Sequence, residues 1–187
     1  MESAILAIIL CWIIFVLYWI VSSFSQKPTA EKPISIGTFL AQLLFGIPFV
    51  VLVRPEWFHL DMRIVTDSLE ISLLSIALGI LGLAICMWAR KTLSGNWSKN
   101  LDLKEGHELV RTGPYRWVRH PIYTGFLFLF LGTAFAVGKI GGFIGFGVLL
   151  VGCVLRIQQE EELLMKHFME EYRTYKKRVK ALIPYFI

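Results

Sequence analysis

The sequence predicts an all-α integral membrane protein of about five transmembrane helices, with a tight hairpin of the fourth and fifth and a cytosolic C-terminal helix. Three observations lead there. Hydrophobic residues make up 56% of the 187 residues and charged residues only 18%, where soluble domains carry about a quarter charged. The apolar residues come in blocks of membrane-spanning length, ~20 residues each, and not as amphipathic stripes. Lys and Arg gather between and after those blocks, with a strong bias to one side.

The first block, 4–22, follows Met1-Glu2-Ser3. No basic stretch precedes it and no small-residue cleavage site follows, so it reads as a retained span and not a signal peptide. The second, 34–53, contains Pro48, an expected kink that neighbouring helices must accommodate. The third is 68–89. The fourth, 121–137, starts on Pro121, which suits a first helical position because the missing N–H costs nothing there. The fifth, 140–155, follows after only Gly138-Lys139 and is short for a full crossing. The hairpin is rich in glycine, and Gly141 and Gly145 fit the small-xxx-small spacing that lets helix backbones approach closely in lipid. That is a packing role, not a chemical one.

With five spans, placing the C-terminus in the cytoplasm leaves only Arg54, Arg63 and Lys139 of the 19 Lys and Arg outside. The positive-inside rule therefore predicts an external amino terminus. Two polar stretches, 90–120 and 156–187, fall on the cytoplasmic side and bracket the hairpin. The organisation is a single membrane domain, 1–187, with three N-terminal helices in 1–89 and a catalytic, cofactor-binding region in 90–187.

The net charge of +5 reads as an orientation signal and a lipid-headgroup contact, not as a nucleic-acid footprint. Cys11, Cys86 and Cys153 lie far apart inside apolar blocks and read as small core residues; no disulfide framework or zinc spacing exists. His59, His107, His120 and His167 have no metal-ligand spacing. The chain lacks GxGxxG, a P-loop and a GxSxG elbow. A cofactor site, if present, must be built from elements at the membrane edge.

Residues 158–178 contain neither Gly nor Pro and favour helix. Ile157, Glu161, Leu164, Phe168, Tyr172 and Tyr175 share one face at spacings of three and four. Glu161 is the one charged member, while Glu160 and Glu162 point to flanking faces. Two readings stand: the acidic run complements a helix dipole, or Glu161 faces inward and requires a positive or donating partner.

Before the fourth span the chain reads TGPYRWVRHPIYTG. Arg119 and His120 sit at a helix N-terminus, where free N–H groups and the dipole suit an anion. The alternatives are lipid phosphates for Arg119 and a cap-like hydrogen bond for His120. Tyr115, Trp117 and Tyr123 are interface aromatics or the wall of a pocket for a flat ring. His107 lies in a polar loop and reads as a solvated histidine.

The run HELVRTGPYRWVRHPIYTG, the glycine-rich hairpin and EEELLMKHFMEEYRTYKKRVKALIPYF together resemble the isoprenylcysteine carboxyl methyltransferase family, within a wider group that includes phospholipid methyltransferases. The resemblance covers about residues 97–187. It implies methyl transfer from S-adenosyl-L-methionine, leaving S-adenosyl-L-homocysteine, to a carboxylate of a membrane-embedded lipidic substrate, by analogy a C-terminal prenylcysteine. It implies a cofactor site at the cytosolic edge made of His107, Glu108, Leu109 and Val110, then Tyr115, then His120, Pro121, Ile122 and Tyr123, and Glu161. A polar residue upstream falls near Asn100. The family's substrate-binding arginine aligns with Ile157, so adjacent Arg156 takes that role, with Arg119 as the other candidate. The implied partners are a lipid-like or prenylated substrate arriving from the bilayer and membrane lipids, with no nucleic acid and no metal; the expected state is a monomer.

Two other classes compete. An NADPH-dependent sterol or isoprenoid reductase of related fold shares RHPxY, but the acidic triplet suits a cofactor with an amino group and no phosphates. A non-enzymatic scaffold has no need for Glu161, His120 and Tyr115 to converge.

Overall fold

The computed structural model describes residues 2–24, 46–52, 54–94 and 108–184. Helix α1 is Glu2–Ser23. Residues 46–52 are helical, and a 3-10 turn follows at Pro55–Phe58. Helix α2 is Leu69–Leu93, with Ser68 as N-cap accepting a hydrogen bond from the Ile71 N–H. A second 3-10 turn, Gly113–Arg116, leads into α3, Pro121–Val137, and α4, Ile140–Arg178. The described residues are all-helical apart from two isolated bridges, Arg63 with Lys139 and Val118 with Lys180. Among them α1, α2 and α4 are long and apolar enough to cross a membrane, and α3 is a shorter apolar helix of 17 residues.

Helix α4 departs from the sequence expectation. The sequence suggests a short fifth span over 140–155 and a separate tail helix over 158–178; in the structure the helix runs on from Ile140 through the polarity change to a kink at Met169, and a second short helical stretch ends at Arg178. No Gly or Pro lies between Cys153 and Arg178, so nothing stops the backbone where hydropathy changes. The polarity switch marks the edge of the apolar layer, not a helix end. The regular helix breaks once, at Met169, whose φ of 43° and ψ of −115° are non-helical. A side chain with φ > 0 is strained, and the break separates the last two turns from the rest. Most of the expected second span and its approach to Pro48 lie outside the described residues.

Close backbone approach organises the helices. A Cβ on Gly82 of α2 would lie 2.5 Å from the Gly125 carbonyl oxygen and from the Leu129 nitrogen of α3. The two helices touch through their main chains, as small residues permit in lipid. Gly142 of α4 meets Ala134 of α3, and Gly145 meets Pro48. A core of Leu52, Leu127, Phe130, Leu149, Cys153, Ile157 and Leu182 fills the space between them. Trp12 of α1 closes one side and donates its indole N–H to the Thr133 hydroxyl at 3.0 Å.

Both ends of the α3–α4 pair are strapped by extended chain. At the turn, Gly138 adopts φ of +71°, a conformation that glycine takes at no steric cost. Its carbonyl accepts from Ile64 and Val65, while Ile140 and Gly141 donate to the Met62 and Leu60 carbonyls. At the other end, the chain leaving α4 returns across the start of α3. Arg119 and His120 N–H groups donate to the Lys180 and Ala181 carbonyls at 2.8 and 3.0 Å. The Thr124 hydroxyl donates to the Leu182 carbonyl at 2.8 Å. Residues about equally far from Gly138 along the two helices come level, roughly 27 Å from the turn at 1.5 Å per residue. This places His120 opposite the Arg156–Glu161 stretch.

Candidate functional site: an ionic cluster at the start of α3

Helix α3 starts on Pro121, and His120 is its N-cap with no capping side-chain bond. The imidazole is free to point away from the helix end and reaches α4. Its Nε2 lies 3.3 Å from Glu161 Oε1 and its Nδ1 lies 3.5 Å from Glu160 Oε2. Two carboxylates thus flank one buried ring. Burial works against its charge, but the hydrogen bonds to Glu160 and Glu161 outweigh it and raise the His120 pKa above its ordinary value. In that state both ring nitrogens donate.

Glu161 is buried, at 7% exposure, and is the most heavily paired carboxylate. Arg119 contacts its Oε1 through Nη2 at 2.6 Å and Nε at 2.7 Å. The Lys176 ammonium meets its Oε2 at 2.6 Å. Burial alone would raise its pKa; His120, Lys176 and Arg119 hold it well below the usual carboxylate range. The inward-facing reading of Glu161 is therefore the one the fold adopts, and the required partners are present. Glu162 is exposed.

A second carboxylate, Glu160, was assigned to a flanking face by helix periodicity. It instead faces the cluster. Its Oε1 accepts from the Tyr123 hydroxyl at 2.5 Å and from Arg156 Nε at 3.3 Å. Burial opposes its charge, while His120, Tyr123 and Arg156 lower its pKa. The spacing of Arg156 and Glu160, four apart on one helix, was a signal for this pair. No sequence signal linked Lys176 to Glu161, because the break at Met169 intervenes.

Arg156 and Arg119 occupy different halves. Arg156 is buried at 6% exposure where α4 leaves its apolar stretch, beside Glu160 and Tyr123. Arg119 sits on the strap side, with Nη1 donating to the Lys176 and Val179 carbonyls. Tyr115 is buried, and its carbonyl accepts from the Tyr175 hydroxyl at 2.5 Å. Pro121 is buried, Ile122, Leu109 and Val110 are half-buried, and Glu108 is exposed. Asn100 and His107 lie outside the described residues. Among the described residues no group of three His, Cys, Asp or Glu is arranged to hold a metal ion.

An apolar hollow lies elsewhere. A cavity of about 500 Å3 lies between α1, residues 49–55 and the Gly138 end of α3, lined by Ile8, Trp12, Phe49, Leu52, Thr133 and Val137 among others. It contains no titratable group of the ionic cluster.

A model of the "Isoprenylcysteine carboxyl methyltransferase (ICMT) family" matches residues 75–166, the stretch that carries α3 and every residue of the cluster except Lys176. The Protein-S-isoprenylcysteine O-methyltransferase of Saccharomyces cerevisiae is 34% identical over 131 residues, 67% of this chain and 55% of its own length. The Methanethiol S-methyltransferase 1 of Bradyrhizobium diazoefficiens is 41% identical over 71 residues, 38% of this chain and 24% of its own length. A solved structure, that of the eukaryotic intramembrane Ras methyltransferase ICMT without a monobody, shares the fold at a TM-score of 0.55 and 22% identity, covering 81% of this chain and 54% of that one. The chain spans about half the length of the curated relatives it matches first. Over residues 75–166 this chain matches the isoprenylcysteine carboxyl methyltransferase family, and its described helices share the fold of the solved ICMT structure.

Proposed function

We propose that the chain transfers a methyl group from S-adenosyl-L-methionine to a carboxylate of a membrane-embedded lipidic substrate, by family analogy a C-terminal prenylcysteine. The observation that carries this reading is the division of the cluster into two charged halves. Arg119 and Glu161 form a buried opposite-charge pair on the strap side, within 2.6 Å. Arg156 stands on the apolar side of the same cluster. The first pair suits the zwitterionic amino-acid head of the cofactor: Glu161 takes an ammonium and Arg119 a carboxylate. The donor set carries little of the cation density that dinucleotide phosphates require.

When bound, the cofactor supplies an electrophilic methyl carbon on a sulfonium. A substrate carboxylate is already ionised at neutral pH, so no general base is required. The work of the protein is alignment and exclusion of water. Arg156 orients the acceptor through two parallel hydrogen bonds. Glu160 and Tyr123 hold Arg156, and His120 keeps Glu160 and Glu161 ionised side by side. Leu109, Val110, Tyr115, Pro121 and Ile122 complete the walls, with Glu108, His107 and Asn100 at the approach.

The same reading takes the chain as one multi-pass membrane domain, 1–187, of about five spans. The α3–α4 hairpin tip lies outside, and the cluster lies at the cytoplasmic edge. The acceptor enters laterally from the bilayer, and the working unit is a monomer. The local match to a thiol S-methyltransferase keeps small amphiphilic thiols among the acceptors to assay.

Calorimetry on detergent-solubilised protein tests the cofactor: S-adenosyl-L-homocysteine binds and NADPH does not. Labelled methyl transfer tests the acceptor, with farnesylcysteine analogues, lipid extracts and thiols offered in parallel. NADPH binding without S-adenosyl-L-homocysteine binding would overturn the proposal.

A further inference from the structure

After the break at Met169 the last turns of α4 dock against the cluster with two tyrosines on one face. They behave differently. Tyr175 donates its hydroxyl to the Tyr115 carbonyl at 2.5 Å. Tyr172 is more deeply buried, at 1% exposure, yet its hydroxyl makes no hydrogen bond. Arg119 and Glu161 lie within side-chain hydrogen-bonding reach of it, but neither meets it in hydrogen-bond geometry: both direct their polar atoms to each other and to Lys176 and the strap.

A buried hydroxyl with no partner weakens a fold. Phenylalanine would fill the same space with the same ring and without that penalty. The hydroxyl of Tyr172 therefore stands beside Arg119 and Glu161 without a well-formed hydrogen bond in the ligand-free structure. Burial and the neighbouring Glu161 charge raise its pKa, so it remains a protonated donor throughout the working range of pH.

We propose that Tyr172 is a further cofactor-binding residue, whose hydroxyl donates to the carboxylate of the amino-acid head held by Arg119. This rests on the reading of Arg119 and Glu161 as the site of that head. The ammonium engages Glu161, Arg119 turns part of its guanidinium from Glu161 to the carboxylate, and the otherwise idle phenol completes the second oxygen. The geometry explains why a tyrosine stands at a position where the packing asks only for a ring.

The test uses the full chain in detergent, wild type and Tyr172→Phe, with two probes: S-adenosyl-L-homocysteine and its decarboxylated analogue. Thermal melting of the ligand-free proteins is read first. Tyr172→Phe is expected to melt at the same temperature as wild type or slightly higher. Its Kd for S-adenosyl-L-homocysteine is expected to be roughly tenfold weaker, in line with loss of one charge-assisted hydrogen bond. Both proteins are expected to bind the decarboxylated analogue equally. A lower melting temperature for Tyr172→Phe means a structural hydroxyl and overturns the proposal. So does unchanged affinity for S-adenosyl-L-homocysteine, or equal weakening for both probes. If wild type binds neither probe, the reading of Arg119 and Glu161 fails first, which is a different result from a silent Tyr172→Phe.

Discussion

The two ends of the α3–α4 pair are built on one plan and differ in one respect. Each is crossed by an extended strap whose backbone groups pair with the helix ends: residues 60–65 at Gly138, residues 180–182 at His120. At the Gly138 end the neighbouring hollow is lined almost wholly by apolar side chains. At the His120 end the straps enclose Arg119, His120, Tyr123, Arg156, Glu160 and Glu161. The Gly138 end is held by a two-residue turn and a strap, with no buried ionic cluster. Burying His120, Arg156 and Glu161, and partly burying Arg119, Tyr123 and Glu160, carries a desolvation cost. The ionic cluster is better explained by chemistry than by stability.

That comparison breaks most visibly at Glu161. Replacing it with alanine leaves Arg119 buried without its main partner, a loss of about 3–5 kcal/mol for such pairs. In the proposed function, S-adenosyl-L-homocysteine affinity falls about 100-fold or more. Glu162→Ala, on the exposed face, keeps affinity within about threefold. Calorimetry on both variants decides it, and equal losses would refute the assignment of Glu161 to the cofactor.

Next in size is Arg156→Ala. Methyl-transfer assays should show kcat reduced by about 10- to 100-fold, the range for a hydrogen bond to a charged group, with cofactor Kd little changed. A turnover equal to wild type would return the acceptor to Arg119.

Packing away from the cluster is sharpened by two glycines. Gly82→Ala pushes a methyl to 2.5 Å from α3 main chain and should cost about 1–3 kcal/mol, as overpacking does. Gly147→Ala meets nothing within 4 Å and should be neutral or stabilising by up to ~1 kcal/mol. Thermal melts compare the two; equal melting temperatures would mean that α2 and α3 do not touch through their backbones.

The smallest effect is on pH. Glu161 has a folded pKa below its unfolded value. Its stabilisation is complete above about pH 4.3 and is lost as pH falls through the depressed folded value. His120 has a folded pKa above its unfolded value. Its stabilisation is complete below about pH 6.5 and is lost as pH rises through the raised value. Melting temperature should therefore decline on both sides of a plateau. In His120→Gln the alkaline decline should vanish while the acid decline persists; an alkaline decline of the same size in that variant would remove His120 as its cause.

Much of the site was legible beforehand, and the parts that were not share a cause. Glu161 stood out because it was the one charge on an apolar helical face, and the structure buries it. Glu160 was misjudged because periodicity gives one direction per residue, whereas a glutamate beside a proline-started helix is reached by side chains from the partner helix. Tyr123 and His120 extend to it from α3. The single long α4 was missed because hydropathy was taken to end the helix, although no residue there stops one. The break at Met169 has no sequence mark, since methionine is a good helix former.

The sequence by itself determined the membrane class, the helix α3 boundaries, the small-residue contacts and the stretches that supply the site. These follow from local patterns: blocks of apolar residues, a proline start, glycine spacing. Only the tertiary structure decided which carboxylate faces which cation. That choice depends on how far each residue lies from Gly138 along two antiparallel helices, and on a C-terminal strap that returns past a break in α4. Ion pairing in a low-dielectric setting is set by distances of a few ångströms, and those are properties of packing between segments far apart in the chain.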